Sequence, residues 1–506
     1  MNSLPVLLRE TLMSLQHRFT GISAVSTLFL VLVSCPAPAT AETSTTSHAS
    51  GKRGVVVAGG QAAVDAGLAI LKDGGNAADA AVATILALSV TDSSLFCFGG
   101  EVPFLIYDAK RNVTEVVSGQ GVAPRLATLE HFAQRGGIPT SGVEAATVPA
   151  ALDACVTVLD RYGTKRFAEC AASTLKLLDK HGLPWHADLA KTIRTLIAAE
   201  QAAPHDRRRG LRLVADCFYR GSIARDLDAW CRTNGGLIRY SDLATHTTRI
   251  EEPLSVDYRG YTVYKCGVWT QGPYVLQALQ MLEGFDMQAL GSGKSETIHL
   301  TLEATKLAMA DRDTYYADLH FSDVPVTELL SPGYAAARRG LIDREHASRQ
   351  LLPGDPRQGK PLLEKAAAKH GDGTTGHDTT TCLVADDQGN VIAATPSGWS
   401  GVQAGHTGIW LGSRLQSFNS WPGHVNCIEP GKRPRITLTP TLVFKDQKPI
   451  YAISVAGGDG QGQATLQLLT NAIDFGLRPA EAVTTPRFGT DHLSALSGKR
   501  NRSSPR

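Results

Sequence analysis

Two stretches of this 506-residue chain set reactive or adaptable groups at junctions between structural elements. In the first, Gly371-Asp372-Gly373-Thr374-Thr375-Gly376-His377-Asp378 runs directly into Thr379-Thr380-Thr381-Cys382-Leu383-Val384. The first half predicts an exposed loop and the β-branched half a strand, so Thr379 offers a hydroxyl, a candidate nucleophile, where loop becomes strand. Taken alone, a Thr-Thr-Thr run is ordinarily no more than a strand start. In the second stretch, Gly457-Gly458 stands between an extended run and a helical one, and its plain reading is a turn. Metal chemistry finds little support. The eight cysteines besides Cys35 (97, 155, 170, 217, 231, 266, 382 and 427) are scattered with no C-x-x-C pair, and His377 reads as a loop residue rather than a ligand. With no nucleotide loop or haem motif either, no cofactor and no metal is predicted.

The elements that must position these residues follow from periodicity. Gln61 to Lys72 has helical spacing and is broken by Asp73-Gly74-Gly75; Asn76 can cap a second helix, Ala77 to Val90, apolar on nearly every side and therefore buried. Val102 to Tyr107 and Val113 to Val117 read as a hairpin. Residues 125–330 are mainly helical by pattern, with an amphipathic stretch at Thr301 to Asp311 and a strand at Tyr258 to Cys266. Thr379 to Asp386 and Val391 to Thr395 form a hairpin around Asp387-Gln388-Gly389, so the candidate nucleophile opens a hairpin strand. Thr441 to Phe444 and Ile450 to Val455 form another, followed by a helix from about Ala464 to Phe475. Strands and helices intermingle throughout, which points to an α/β or α+β class. With 43% apolar residues the chain can bury a large core, and 19% charged residues with a formal net charge of +2 give no basic surface for nucleic acid.

Several of these stretches together resemble the γ-glutamyltranspeptidase family of N-terminal nucleophile hydrolases. The carrying segments are residues 66–83, 303–318, 379–390, 431–449 and 456–488, in this order along the chain. The resemblance implies an α+β four-layer αββα sandwich, made as one precursor that cuts itself between Asp378 and Thr379 into a large subunit (42–378) and a small one (379–506). Thr379 falls at the family's nucleophile. Its hydroxyl attacks the carbonyl of Asp378, the resulting ester hydrolyses, and the freed α-amine, with an ordinary pKa of about 8, serves as base for the same residue's hydroxyl. Gly457 and Gly458 match the glycine pair whose N–H groups face the oxyanion, and Ser397 matches a hydroxyl residue bonded to the nucleophile. The partners implied are a small amide substrate and the two subunits themselves; nothing marks an oligomer.

The substrate pocket departs from the family's pattern. Gln120, in Gly119-Gln120-Gly121, stands where the family has the arginine that clamps the glutamyl α-carboxylate; Ser417 replaces an aspartate for the α-amino group, Trp399 an asparagine, and Ile436-Thr437 a Ser-Ser pair. Losing charge-assisted bonds of roughly 1.5–3 kcal/mol each weakens glutamyl recognition by orders of magnitude. Arg414 is a candidate cation for a substrate carboxylate, with an exposed surface arginine as the plain alternative. Three readings follow: a γ-glutamyl hydrolase or transferase acting on glutathione-like amides, an acylase acting on another small amide, and a non-catalytic binding relative.

Residues 1–41 read as a targeting segment. Arg9 and Arg18 precede an apolar run from Ile22 to Val33 that is short for a membrane span, followed both by Ala39-Thr40-Ala41, a small-x-small cleavage site, and by Leu32-Val33-Ser34-Cys35, a lipobox-like ending. Export to the periplasm or medium is expected, with lipid on Cys35 left open. Export permits disulfides among the eight cysteines, though buried thiols serve equally. The tail Gly498 to Arg506 reads as disordered, and it ends before the family's small subunit usually does, which predicts an uncovered sheet edge.

Overall fold

The computed structural model describes residues 49–363 and 379–490. The targeting segment, the loop ending in Asp378 and the C-terminal tail lie outside the described residues. Among the described residues, ten strands form two antiparallel sheets. β1 (Gly54–Ala58), β2 (Val102–Asp108), β3 (Val113–Gly119), β4 (Arg249–Glu251), β7 (Cys382–Asp386) and β8 (Val391–Ala394) make a six-stranded sheet in the order β1-β7-β8-β2-β3-β4. β5 (Leu254–Tyr258), β6 (Tyr261–Lys265), β9 (Thr441–Lys445) and β10 (Lys448–Ile453) make the second, ordered β10-β9-β6-β5.

Strand alternation sorts side chains into three cores and so fixes the layering. On β2, Phe104 and Ile106 join the helix Ala77–Thr91 and its neighbours, whereas Leu105 and Tyr107 turn inward to meet Leu442 and Phe444 of the other sheet and Trp269 from the loop after β6. Tyr107 and Phe444 pack edge to face across this seam, 5.0 Å between centroids. On the far face of the second sheet, Val263 and Val443 bury against the helices Pro273–Leu282, Ser295–Tyr315 and Gly460–Ile473. The result is the four-layer αββα sandwich that the resemblance implied.

Local chemistry explains the element ends. Asn76 caps Ala77–Thr91 in a capping box with Asp79, and residues 77–90 are all buried. Two sequence expectations are corrected and one element is added. The strand read over Tyr258 to Cys266 is two strands, because Arg259 (φ 53°) and Gly260 (φ 77°) make a tight turn in left-handed geometry. The helix read from Ala464 begins at Gly460, since its polar first turn hid the start. β1 was not anticipated; its short Val55-Val56-Val57 run has no alternation, yet it pairs with β7 at the sheet edge. All eight described cysteines are free thiols, seven of them buried. Among the described residues no helix is long and apolar enough to cross a membrane.

Candidate active site

The β7–β8 hairpin places the nucleophile candidate. Its register pairs Cys382 with Ala394, and the same register carried past the strand ends pairs Thr379 with Ser397 in an isolated antiparallel bridge. Both side chains are buried, and their hydroxyl oxygens are 3.1 Å apart. Thr380, one residue on, is anchored away from the site: its hydroxyl donates to Asp92 at 2.6 Å, at the end of the helix Ala77–Thr91.

Behind Ser397 lies a buried ion pair. Glu101, immediately before β2, exchanges both backbone hydrogen bonds with Ser397 at 3.0 Å. Its carboxylate accepts from Arg414 Nε at 2.5 Å, while Arg414 Nη2 donates to Ser397 Oγ at 2.7 Å. Arg414 is thus neither a surface arginine nor a cation held in reserve for a carboxylate; it is 2% exposed and its charge is met by Glu101.

The other wall comes from the segment between β10 and the helix Gly460–Ile473. Ser454 ties the sheet ends together, bonding Thr395 Oγ1 at 2.9 Å and the Ala394 carbonyl at 3.0 Å. Gly457 follows with φ of 121°, and a Cβ there would meet open space, so backbone conformation rather than crowding calls for glycine. Neither the Gly457 nor the Gly458 N–H has a partner among the described residues, which leaves both as donors beside the N-terminus of a long helix. Gln271 pins this segment by donating to the carbonyls of Thr437 (3.0 Å) and Gly458 (3.3 Å). Arg312 in turn bonds Gln271 and Asp459, at 2.8 and 3.0 Å. Burial works against the charge of Arg312, but Asp313 and Asp459 together hold its guanidinium above the ordinary pKa.

Gln461 closes the site. Its amide nitrogen can turn to the carbonyls of Val455 (2.9 Å) and Thr437 (3.2 Å). The amide oxygen then faces the hydroxyls of Thr379 and Thr437, at 3.5 and 3.4 Å. The structure therefore brings together Thr379, Ser397, Arg414, Thr437 and the Gly457-Gly458 turn. Gln120 and Ser417 meet a neighbouring stretch instead. Gln120 donates to the Pro434 carbonyl at 2.7 Å, and Asn426 bridges the Ser417 carbonyl (2.8 Å) to the Arg435 N–H (2.9 Å). Gln120 Oε1 and Ser417 Oγ are buried without partners among the described residues. Trp399 is 37% exposed, its ring 6.3 Å from that of Trp410. No hydrogen bond joins Gln120, Ser417 or Trp399 to Thr379 among the described residues, and Asp378 lies outside them. Sequence reasoning missed Glu101, Gln461, Gln271 and Arg312. Glu101 left a signal, a lone charge at the head of the apolar run Val102 to Tyr107.

The family model described as Gamma-glutamyltranspeptidase matches residues 63–207 and 186–501. The chain belongs to this family. The glutathione hydrolase proenzyme of Bacillus subtilis (strain 168) is 31% identical over 483 residues, covering 88% of this chain and 82% of the relative. The acylase ACY 1 proenzyme of Pseudomonas sp. (strain SE83) is 31% identical over 498 residues, covering 90% and 86%. Among solved structures, cephalosporin acylase from Bacillus halodurans aligns with a TM-score of 0.71 at 30% identity, covering 88% of this chain and 86% of that one. As a γ-glutamyltranspeptidase family member, the protein is an enzyme of the amide-hydrolysing and acyl-transferring kind, on the family's αββα fold.

Proposed function

We propose that the protein is a self-processing N-terminal threonine amidohydrolase in which Thr379 makes both cuts. In the precursor the Thr379 hydroxyl attacks the Asp378 carbonyl carbon. The peptide C–N bond breaks as the ester forms, and water then hydrolyses that ester, releasing a carboxylate on Asp378 and a free Thr379 amine. In the mature enzyme the amine takes the hydroxyl proton, the oxygen attacks the substrate amide, and the Gly457 and Gly458 N–H groups receive the oxyanion. The protonated amine returns its proton to the leaving amine, and water or an acceptor amine then releases the acyl group. The observation that carries this reading is the Thr379–Ser397 hydroxyl pair at 3.1 Å just ahead of β7, linked through Gln461 to the segment that holds the Gly457-Gly458 turn, whose two N–H groups lack partners among the described residues.

The leading substrate class is γ-glutamyl amides of the glutathione kind, supported by the family and by relatives named glutathione hydrolase. A second reading, an acylase for another small amide, is favoured by the uncharged Gln120 and Ser417 and by relatives named acylase. The two are separated by comparing kcat/KM for a γ-glutamyl anilide with that for the same anilide acylated by an uncharged chain. Preference for the first supports the glutamyl reading; a tenfold preference for the second overturns it. The targeting features of residues 1–41 support an exported enzyme, periplasmic or secreted, with Cys35 as a lipid attachment point if the lipobox is read.

A further inference from the structure

We propose that Gln271 is a positioning residue for acyl transfer, holding the Gly457-Gly458 donors in a fixed place relative to Thr379, with Arg312 orienting its amide. This inference rests on the reading above, in which Thr379 is the nucleophile and the two glycine N–H groups receive the oxyanion.

A glycine pair does not aim its own donors. Gly457 (φ 121°) and Gly458 (φ 56°) stand where peptide units swing most freely, so the direction of each N–H depends on what holds the neighbouring carbonyls. The C=O and N–H of one trans peptide unit point opposite ways. The Gly457 carbonyl accepts from the Gly460 N–H at 3.1 Å, which turns the Gly458 N–H of the same unit away from the first turn of the helix Gly460–Ile473. The next unit is held by its Gly458 carbonyl, which accepts from the Gln461 N–H at 3.2 Å and from Gln271 Nε2 at 3.3 Å. Of these three bonds, only the last comes from outside the turn and its helix.

The bonds of Gln271 leave its amide one orientation. Arg312 Nη1 donates to Oε1 at 2.8 Å, and a guanidinium only donates, so Nε2 is the donor. Its two protons meet two carbonyls, that of Gly458 and, at 3.0 Å, that of Thr437, which leaves those oxygens no more than about 6 Å apart. Thr437 leads on to the nucleophile. With its amide turned, Gln461 donates to the same Thr437 carbonyl at 3.2 Å, and its oxygen faces Thr379 Oγ1 at 3.5 Å. One nitrogen therefore ties the segment with the oxyanion donors to the segment beside the nucleophile.

The support behind that nitrogen is firm. Gln271 is 1% exposed, and its own N–H donates to the Ile436 carbonyl at 2.8 Å. Arg312 bonds Asp313 at 2.8 Å and Asp459, next to Gly458, at 3.0 Å. Gln271 and Arg312 lie on the large-subunit side of the proposed cut, and Thr437, Gly458 and Asp459 on the small-subunit side. The same bonds thus keep the two pieces in register once the chain is cut. A displacement of about 1 Å at a reacting centre can cost 10²-fold in rate, and loss of an oxyanion donor about 10²- to 10³-fold.

The test uses wild type, Q271M, Q271E, R312K and Q271M/R312K, each purified as the self-cleaved protein and assayed well below its melting temperature. The readouts are kcat and KM on an amide that the wild type turns over, and Ki for the boronic acid carrying the same acyl chain. Its boron takes the Thr379 oxygen and becomes a tetrahedral anion that needs the same donors. Q271E keeps the shape and the bond to Arg312 but sets an oxygen against both carbonyls. The expected result is a kcat lowered by about ten- to a hundredfold in Q271M and Q271E, with KM within about threefold and the boronate Ki raised by a factor similar to the loss in kcat. R312K lowers kcat in the same direction, and by less in the Q271M background than in wild type, because Arg312 acts through the amide. R312K, which retains the charge, carries the comparison if neither Gln271 variant is cut. A boronate Ki that stays at the wild-type value in these variants, or a raised KM at unchanged kcat, overturns the positioning role. A wild type without cleavage before Thr379 overturns the nucleophile reading itself, and this inference with it.

Discussion

Ser397→Ala isolates what one buried hydroxyl contributes. The group accepts from Arg414 at 2.7 Å and bonds Thr379 at 3.1 Å, and Ser397 is fully buried, so no solvent hydroxyl stands ready to replace it. Stability loses a hydrogen bond to a charged group, worth about 1.5–3 kcal/mol, with little cavity cost because one oxygen is removed. Catalysis loses the hydroxyl that is hydrogen-bonded to the candidate nucleophile. Removing a preorganised hydrogen-bonding group at a reacting centre typically lowers kcat by about 10²-fold, equivalent to about 2.7 kcal/mol of barrier. The assay is a time course of self-cleavage on denaturing gels, then steady-state kinetics on the cleaved fraction. Slow cleavage, a kcat lowered about a hundredfold and a nearly unchanged KM are expected, with Ser397→Thr within a few-fold of wild type because the hydroxyl is kept. Wild-type kcat in Ser397→Ala would refute the role assigned to this bond.

Two further outcomes are expected. Lys265 is fully buried, donating to the Thr439 carbonyl at 3.0 Å and to Thr441 Oγ1 at 2.7 Å, and burial pushes its ammonium down to about 7. Below that pH both folded and unfolded chains hold the proton; from about 7 up to the ordinary value of about 10.4 only the unfolded chain does, so stability rises with pH by up to about 5 kcal/mol. Lys265→Met flattens this rise, and denaturant melts at pH 7 and 9.5 with parallel changes in both proteins contradict it. Gln120→Arg combined with Ser417→Asp restores the charges expected to grip a glutamyl group. It raises kcat/KM for γ-glutamyl anilide relative to an uncharged N-acyl anilide by about tenfold or more, and an unchanged ratio contradicts the recognition argument.

What the sequence disclosed followed physical lines. The helix Ala77–Thr91 was legible because it is apolar all round and Asn76 caps it, and the β7–β8 hairpin because its turn and alternation agree. That hairpin register alone sets Thr379 opposite Ser397. The Arg259-Gly260 turn was hidden inside a run of strand-forming residues, where only the backbone dihedrals divide one strand from two. Arg414 reads in the sequence as a candidate substrate cation or an exposed surface arginine, because Glu101, which it bonds in the fold, is 313 residues away. The network Gln461, Gln271 and Arg312 carries no local motif; its members come from three helices or helix entries that meet only in the folded protein. Periodicity reports the face of an element, whereas a site depends on pairings across elements.

The central claim is that Thr379 makes the cut that creates its own base. Intact-mass and N-terminal analysis of purified wild type and Thr379→Ala tests it most directly. The account predicts a wild-type fragment beginning at Thr379 and a single uncut chain for Thr379→Ala; an uncut wild type, or a variant cut at the same bond, would contradict it.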